Sequence, residues 1–565
     1  MSLLSRRSRT AFALAGLLAL TACTASTPQA ARTTALKTSD PDAALTVIDA
    51  ATDREASVAT SAELFDSSPV VVVAPSGDPK AQELAARAAI GLGVPLLVGK
   101  SDVTESTSAT TETPAPTASA EPTPDGLPAE LKRLKATTAL VIGAVESLDA
   151  EAEDSESDLT VERVKASASA VTEATGLKLG AATAEDAAGF PAGIAAWEAP
   201  KAQRGSSNAE TPITRPKRAE PLADTVALAV NGAAQLASIA TARAAGIPVH
   251  LVPEGSANPQ AHASIIEALS TSETTKTLAI GAEFATQAAL DWKIRTARTG
   301  TQLPGGGQLL FPAHQFIALY GTPITSVLGV LGEQDAAGSV QRARDLAAPY
   351  AALTDKTVVP MFEIIATVAA GGPGGDGNYS NELSPESLRL LVDEAAKAGI
   401  YVVIDLQPGR TDFLTQAKQY QSLLELPHVG LALDPEWRLG PDQVPLRQIG
   451  SVTAAEVNSV TTWLADLTNE KGLPQKMLVL HQFRPSMITD RASLDLTRPE
   501  VALLIHADGQ GGQGDKQATW ANLHRDAPAG IHWGWKNFYD EDLPMLTPEQ
   551  TMSGVSPAPD LVTYQ

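Results

Sequence analysis

Two carboxylates stand two residues apart in Asp434-Pro435-Glu436-Trp437, directly after the apolar run Val429–Leu433. Side chains at i and i+2 of an extended chain share a face, so Asp434 and Glu436 point the same way if both stay extended. A protonated carboxyl beside an ionised one is the equipment of acid–base hydrolysis. Other apolar runs end on similar groups. Glu363 lies in Val358–Ile365, and Asp405-Leu406-Gln407 closes the run that starts at Gly399. His481-Gln482 closes Met477–Gln482, His506-Ala507-Asp508 closes Val501–Ala507, and Trp533, Trp535 and Lys536 follow Gly530. Glu436, Asp434, Asp405, Asp508 and Glu363 are therefore the catalytic candidates. Gln407, Gln482, His481, His506 and Lys536 suit the hydroxyls of a sugar, and Trp437, Trp533 and Trp535 suit its ring faces.

Each of these residues also has a structural reading. A lone Asp-Pro-Glu caps helices and turns. Asp405 and Glu363 could be buried partners of Arg410 or Arg438, and the tryptophans could simply pack the fold. His481, His506 and Asp508 are ordinary zinc-ligand types, but no H-E-x-x-H or comparable spacing accompanies them. No metal or cofactor is expected, and a metal-dependent hydrolase stands as a third reading. Gly509–Gly514 lacks the Lys-Ser/Thr ending of a phosphate loop and reads, like 371–379, as a mobile loop near the site.

The elements that position these groups are strands and helices in alternation. Phe316–Tyr320 precedes the runs already named, and amphipathic stretches such as Ser384–Ala398 separate most of them. Seven countable strands over 308–565 predict a TIM-type (β/α) barrel with one strand missed or absent, and such barrels carry their chemistry at the carboxyl ends of the strands.

The preceding half carries an internal repeat. Val70–Val98 and Thr225–Val252 each read as an apolar strand, a turn, an alanine-rich helix, then Gly-Val-Pro or Gly-Ile-Pro before another apolar run. Glycine ends the helix and proline opens the next strand. Each copy reaches a third strand ending in Ile-Gly-Ala, at 142–144 and 280–282, and the first copy carries a Ser/Thr/Pro-rich insert at 102–127. The expected class is α/β: two Rossmann-like β-α-β modules over 57–300, then the barrel. Neither copy has G-x-G-x-x-G after its first strand, so a dinucleotide site is not expected.

The repeated units resemble the cell-wall-binding repeats of Gram-positive surface proteins, small α/β modules that hold wall polymers. That family usually carries three copies, and two are found here. The barrel looks like glycoside-hydrolase barrels, several of which end the fourth strand in D-x-E. The resemblance implies Glu436 as general acid and Asp434 as its partner. The chitinase pattern D-x-x-D-x-D-x-E is incomplete, since Gly430 and Leu431 occupy its earlier positions.

The amino terminus predicts an address. Arg6, Arg7 and Arg9 precede the apolar run Ala11–Leu20, and the segment closes on Leu20-Thr21-Ala22-Cys23. That ending resembles the lipobox of bacterial lipoproteins, which implies lipidation at Cys23; an ordinary signal peptide with a chance cysteine is the alternative. Cys23 is the single cysteine, so no internal disulfide forms. Residues 24–56, rich in Thr, Ala, Ser and Asp, read as a flexible tether. A net charge of −23 argues against nucleic acid and against charge-driven binding to anionic lipid. The expected protein is extracytoplasmic, held to the membrane by lipid alone, with an envelope polysaccharide as partner. A non-catalytic wall-binding scaffold is the alternative function.

Overall fold

The computed structural model describes residues 35–102, 126–146, 159–199 and 213–565. Cys23 and the signal-like segment lie outside the described residues, as does nearly all of the 102–127 insert. Among the described residues no helix is long and apolar enough to cross a membrane.

Each repeat folds into a four-stranded parallel sheet. The first has the order Leu96–Gly99, Val70–Pro75, Thr138–Ile142, Thr160–Val164. The second has the order Val249–Val252, Thr225–Val230, Lys276–Ile280, Leu45–Ile48. The helix Pro79–Leu92 is capped by the Asp78 side chain, opens on a proline, and ends on Gly93 in the left-handed region. The punctuation read in the sequence therefore does what was expected of it. The two modules pack helix against helix, and the Thr241 hydroxyl both accepts from the Leu96 N–H (3.1 Å) and donates to its carbonyl (3.3 Å).

The tether reading needs correction over its second half. Leu45–Ile48 is not a linker: it runs parallel to Lys276–Ile280 and completes the second sheet. Asp53–Leu64 follows as a helix opened by a reciprocal Thr52/Glu55 capping box. The sequence signal was weak because a four-residue strand in a Thr/Ala/Ser-rich stretch has no periodicity of its own.

The barrel is closed by eight parallel strands in sequence order: β1 (His314–Gly321), β2 (Thr357–Ala369), β3 (Tyr401–Leu406), β4 (Val429–Leu433), β5 (Lys476–Gln482), β6 (Val501–Ala507), β7 (His532–Asn537) and β8 (Leu561–Tyr564). The missed strand is β8, four residues long. It seals the cylinder between β7 and β1, and the Tyr564 hydroxyl meets that of Tyr350 at 2.6 Å. The expected helix at 384–398 forms over Pro385–Ala398, capped by Ser384 and ended by left-handed Gly399.

Inside the barrel the lower layer is apolar: Phe316, Ala318, Met361, Val403, Ala432, Val479, Leu504 and Leu561 form one buried cluster. Leu303, Leu310 and Phe311 join it and close the amino end of the barrel. The helix Leu290–Thr299 attaches near that end, where the Trp292 indole donates to the Leu473 carbonyl at 3.3 Å. The carboxyl ends of the strands form the opposite mouth.

Tyr401 on β3 fills the space left by Gly430 on β4, and its hydroxyl accepts from the Met477 N–H at 3.1 Å. A Cβ at residue 430 would meet the Met477 carbonyl at 2.6 Å and the Tyr401 hydroxyl at 3.0 Å. Gly430→Ala is expected to destabilise the protein by about 1–3 kcal/mol through overpacking, measured by denaturant unfolding. An unchanged midpoint would mean that this contact does not define the barrel interior.

Candidate active site

Two residues beyond the apolar layer, every strand turns a polar side chain inward. Alternation carries Ala318 to Tyr320, Met361 to Glu363, Val403 to Asp405 and Ala432 to Asp434. It carries Val479 to His481, Leu504 to His506, Gly534 to Lys536 and Leu561 to Thr563. Asp508 follows His506 at the next inward position. Glu363, Asp405, His481 and His506 are fully buried. The barrel thus gathers onto its floor residues spread over more than 240 positions of sequence.

His481 is the hub. Its Nε2 lies 2.7 Å from Glu363 Oε1 and its Nδ1 lies 2.8 Å from Asp508 Oδ2. Thr563 donates to the other Glu363 oxygen at 3.3 Å. Lys536 Nζ sits 3.0 Å from Asp508 Oδ1 and 3.6 Å from the Tyr320 ring centroid. The Tyr320 hydroxyl donates to Asp405 Oδ2 at 2.9 Å. Asp434 precedes the one-turn segment Pro435–Trp437 but makes no capping bond, so the simple cap reading fails for it. Its carboxylate lies with His481 and Asp508 in a cluster whose facing atoms are all within 4.8 Å of one another.

Burial and charge sort these groups into two states. Burial alone would raise Glu363 and Asp508, but His481 acts on both and Lys536 on Asp508 most strongly, and each carboxyl falls below its usual range. Burial would lower His481, but Glu363, Asp405 and Asp508 together hold it well above the usual imidazole range. Lys536 is raised because Asp508 and Glu363 outweigh its burial. The other acids go the opposite way. Burial pushes Asp405 up to about 6 and Asp434 well above its usual range. Glu436 is pushed up to about 7, by burial first and then by the Asp508 charge. His506, buried without a hydrogen bond, falls to about 3. The mouth therefore holds ionised Glu363 and Asp508 beside acids poised to carry protons. Raised Lys536 is an ammonium, which argues against nucleophilic amine chemistry there.

Several sequence expectations change. Arg438 pairs with Glu456 at 2.9 Å and Arg410 lies over the Tyr379 ring, so neither arginine partners Asp405 or Glu363. Trp533 and Trp535 face away from the mouth: Trp535 is buried against Trp520 in the layer outside the barrel, and Trp533 stacks on His524 at 3.6 Å. Gln482 also faces outward, donating to the Arg484 carbonyl and accepting from Arg491. These three sit one residue out of phase with the inward positions, and period-2 alternation could have separated them. Gln407 accepts from the Ala369 N–H at 3.1 Å and ties neighbouring strand ends together. Trp437 is half-buried at the rim beside Glu436.

The glycine-rich 509–514 segment is not a free loop. Its Gly511 N–H donates to Asp542, Lys516 donates to the Gly509 carbonyl and pairs with Asp542 at 2.7 Å, and a helix starts at Gln513. Tyr320 and Thr563 were missed by reading charged and amide strand ends alone.

No protein-family model matches the chain, and no curated protein is similar to it. Among solved structures, Cwp6 from Clostridium difficile is similar with a TM-score of 0.29 and 15% identity, over 62% of this chain and 66% of that one. A likeness this distant carries no argument about function.

Glu436 ionises near pH 7 in the folded protein against an ordinary 4.5. Through this group the folded state loses stability as pH rises between those values, and Glu436→Gln lacks that contribution. The Tm of the variant minus that of the wild type is expected to grow from pH 4.5 to pH 7 and to level off above. A difference that stays flat across this window would place Glu436 in open solvent.

Proposed function

We propose that the barrel hydrolyses a glycosidic bond in an envelope polysaccharide, with Glu436 as general acid. The observation that carries this reading is Glu436, poised near 7 at the mouth beside an Asp508 that stays ionised. Protonated Glu436 donates to the leaving oxygen; ionised Asp508 stabilises the oxocarbenium-like state or orients water; Asp434 holds the pair in register. The repeat modules would hold the wall polymer, a role supported by their Gly-x-Pro and Ile-Gly-Ala motifs. Lipidation at Cys23, supported by Leu20-Thr21-Ala22-Cys23, would keep the chain at the membrane surface.

The test is to incubate the full ectodomain with isolated wall polysaccharides and to follow released fragments. Release is expected to fall as pH rises through about 7, where Glu436 loses its proton, and Glu436→Gln is expected to lower kcat by about 10²–10⁴-fold. Absence of release from every wall fraction would sink the hydrolase reading and leave a binding scaffold. For the anchor, Cys23→Ser is expected to abolish incorporation of labelled palmitate and to move the protein from the membrane fraction to the medium. Unchanged labelling would refute it.

A further inference from the structure

The floor of the barrel carries buried donor atoms that its own side chains leave unpaired. Beside Asp434, three buried side chains converge. Ligand atoms of Glu363, His481 and His506 lie within 4.8 Å of one another. His506 is fully buried, yet neither ring nitrogen has a hydrogen-bond partner, and its Nδ1 lies 3.9 Å from Glu363 Oε2. A buried imidazole with both nitrogens unsatisfied is costly unless something else fills that role. Asp405 Oδ1 is likewise buried without a hydrogen bond, 3.9 Å from His481 Nε2.

The surroundings match those of a metal-ligating histidine. His481 turns Nε2 toward the cluster while Nδ1 is held by Asp508 at 2.8 Å, and Lys536 holds Asp508 in turn. A carboxylate behind the ligating imidazole fixes the ring and its tautomer. Gly534 leaves room for the His506 ring, since a Cβ there would meet His506 Cδ2 at 2.7 Å. We infer that Glu363, His481 and His506 bind one divalent transition cation, with Asp405 Oδ1 as a fourth donor. Two imidazoles and carboxylate oxygens suit zinc, manganese or ferrous iron. On binding, Nε2 of His481 gives up its proton to solvent and the cation takes its place beside Glu363. This inference goes beyond the acid–base role of Asp434 and Glu436 and does not require it.

The test uses the full ectodomain, stripped with chelator and reloaded with Zn²⁺ or Mn²⁺ alone. Elemental analysis after desalting is expected to find one equivalent per chain, with a rise in Tm. His506→Gln and Glu363→Gln are expected to weaken binding by more than about 100-fold, and Asp508→Asn by about 10–100-fold. Glu436→Gln is expected to bind as the wild type does. If the ligand variants fail to fold, Co²⁺ added to the wild type gives a separate readout through its visible absorption. The inference falls if neither metal is retained, if His506→Gln binds as tightly as the wild type, or if Co²⁺ acquires no site-bound spectrum. Retention is measured without substrate, so metal binding and hydrolysis can each fail alone.

Discussion

A single buried imidazole holds the mouth of the barrel together. His481 spans from Glu363 on β2 to Asp508 beyond β6, and Lys536 on β7 continues the chain of charge. Each link places opposite charges in contact where water is excluded. Removing one member would leave a buried charge without its partner, a loss of about 3–5 kcal/mol in comparable sites. The network thus restrains four strand ends at once, and the neighbouring acids take their states from it.

Those states follow from geometry rather than from residue type. Five carboxyls stand in one mouth, yet only Glu363 and Asp508 touch a cation closely. They stay ionised. Asp405 meets the Tyr320 hydroxyl instead, Asp434 Oδ1 has no hydrogen-bond partner, and Glu436 faces the Asp508 charge from the rim. Burial then favours their protonated forms. Similar side chains divide into ionised and proton-holding groups according to which strand carries them and how close it comes to β5. The apolar layer below keeps water from the floor and makes that division sharp.

The amino-terminal modules show the same dependence on long-range pairing. Leu45–Ile48 is separated from its partner strand Lys276–Ile280 by the whole first module, yet it completes the second sheet. The two sheets consequently cannot be cut apart at one point in the chain. The helix Leu290–Thr299 then meets the amino end of the barrel, away from the mouth, which leaves the strand ends clear.

Much of this was written locally. The repeated strand, alanine-rich helix and Gly-x-Pro turn specify the modules, because helix caps and proline starts act within a few residues. Alternating apolar runs with polar carboxyl ends specify a barrel and most of its inward groups, since a period of two decides which side chains share a face. Glu363, Asp405, Asp434, His481, His506, Asp508 and Lys536 were legible in that way. Leu561–Tyr564 and Leu45–Ile48 were not, because four residues carry too little pattern and their strand character comes from neighbours distant in sequence. Nor could the sequence show that Glu363 meets His481 rather than an arginine. Only closure of the cylinder brings β2 and β5 across from one another, and pairing between buried charges depends on that distance.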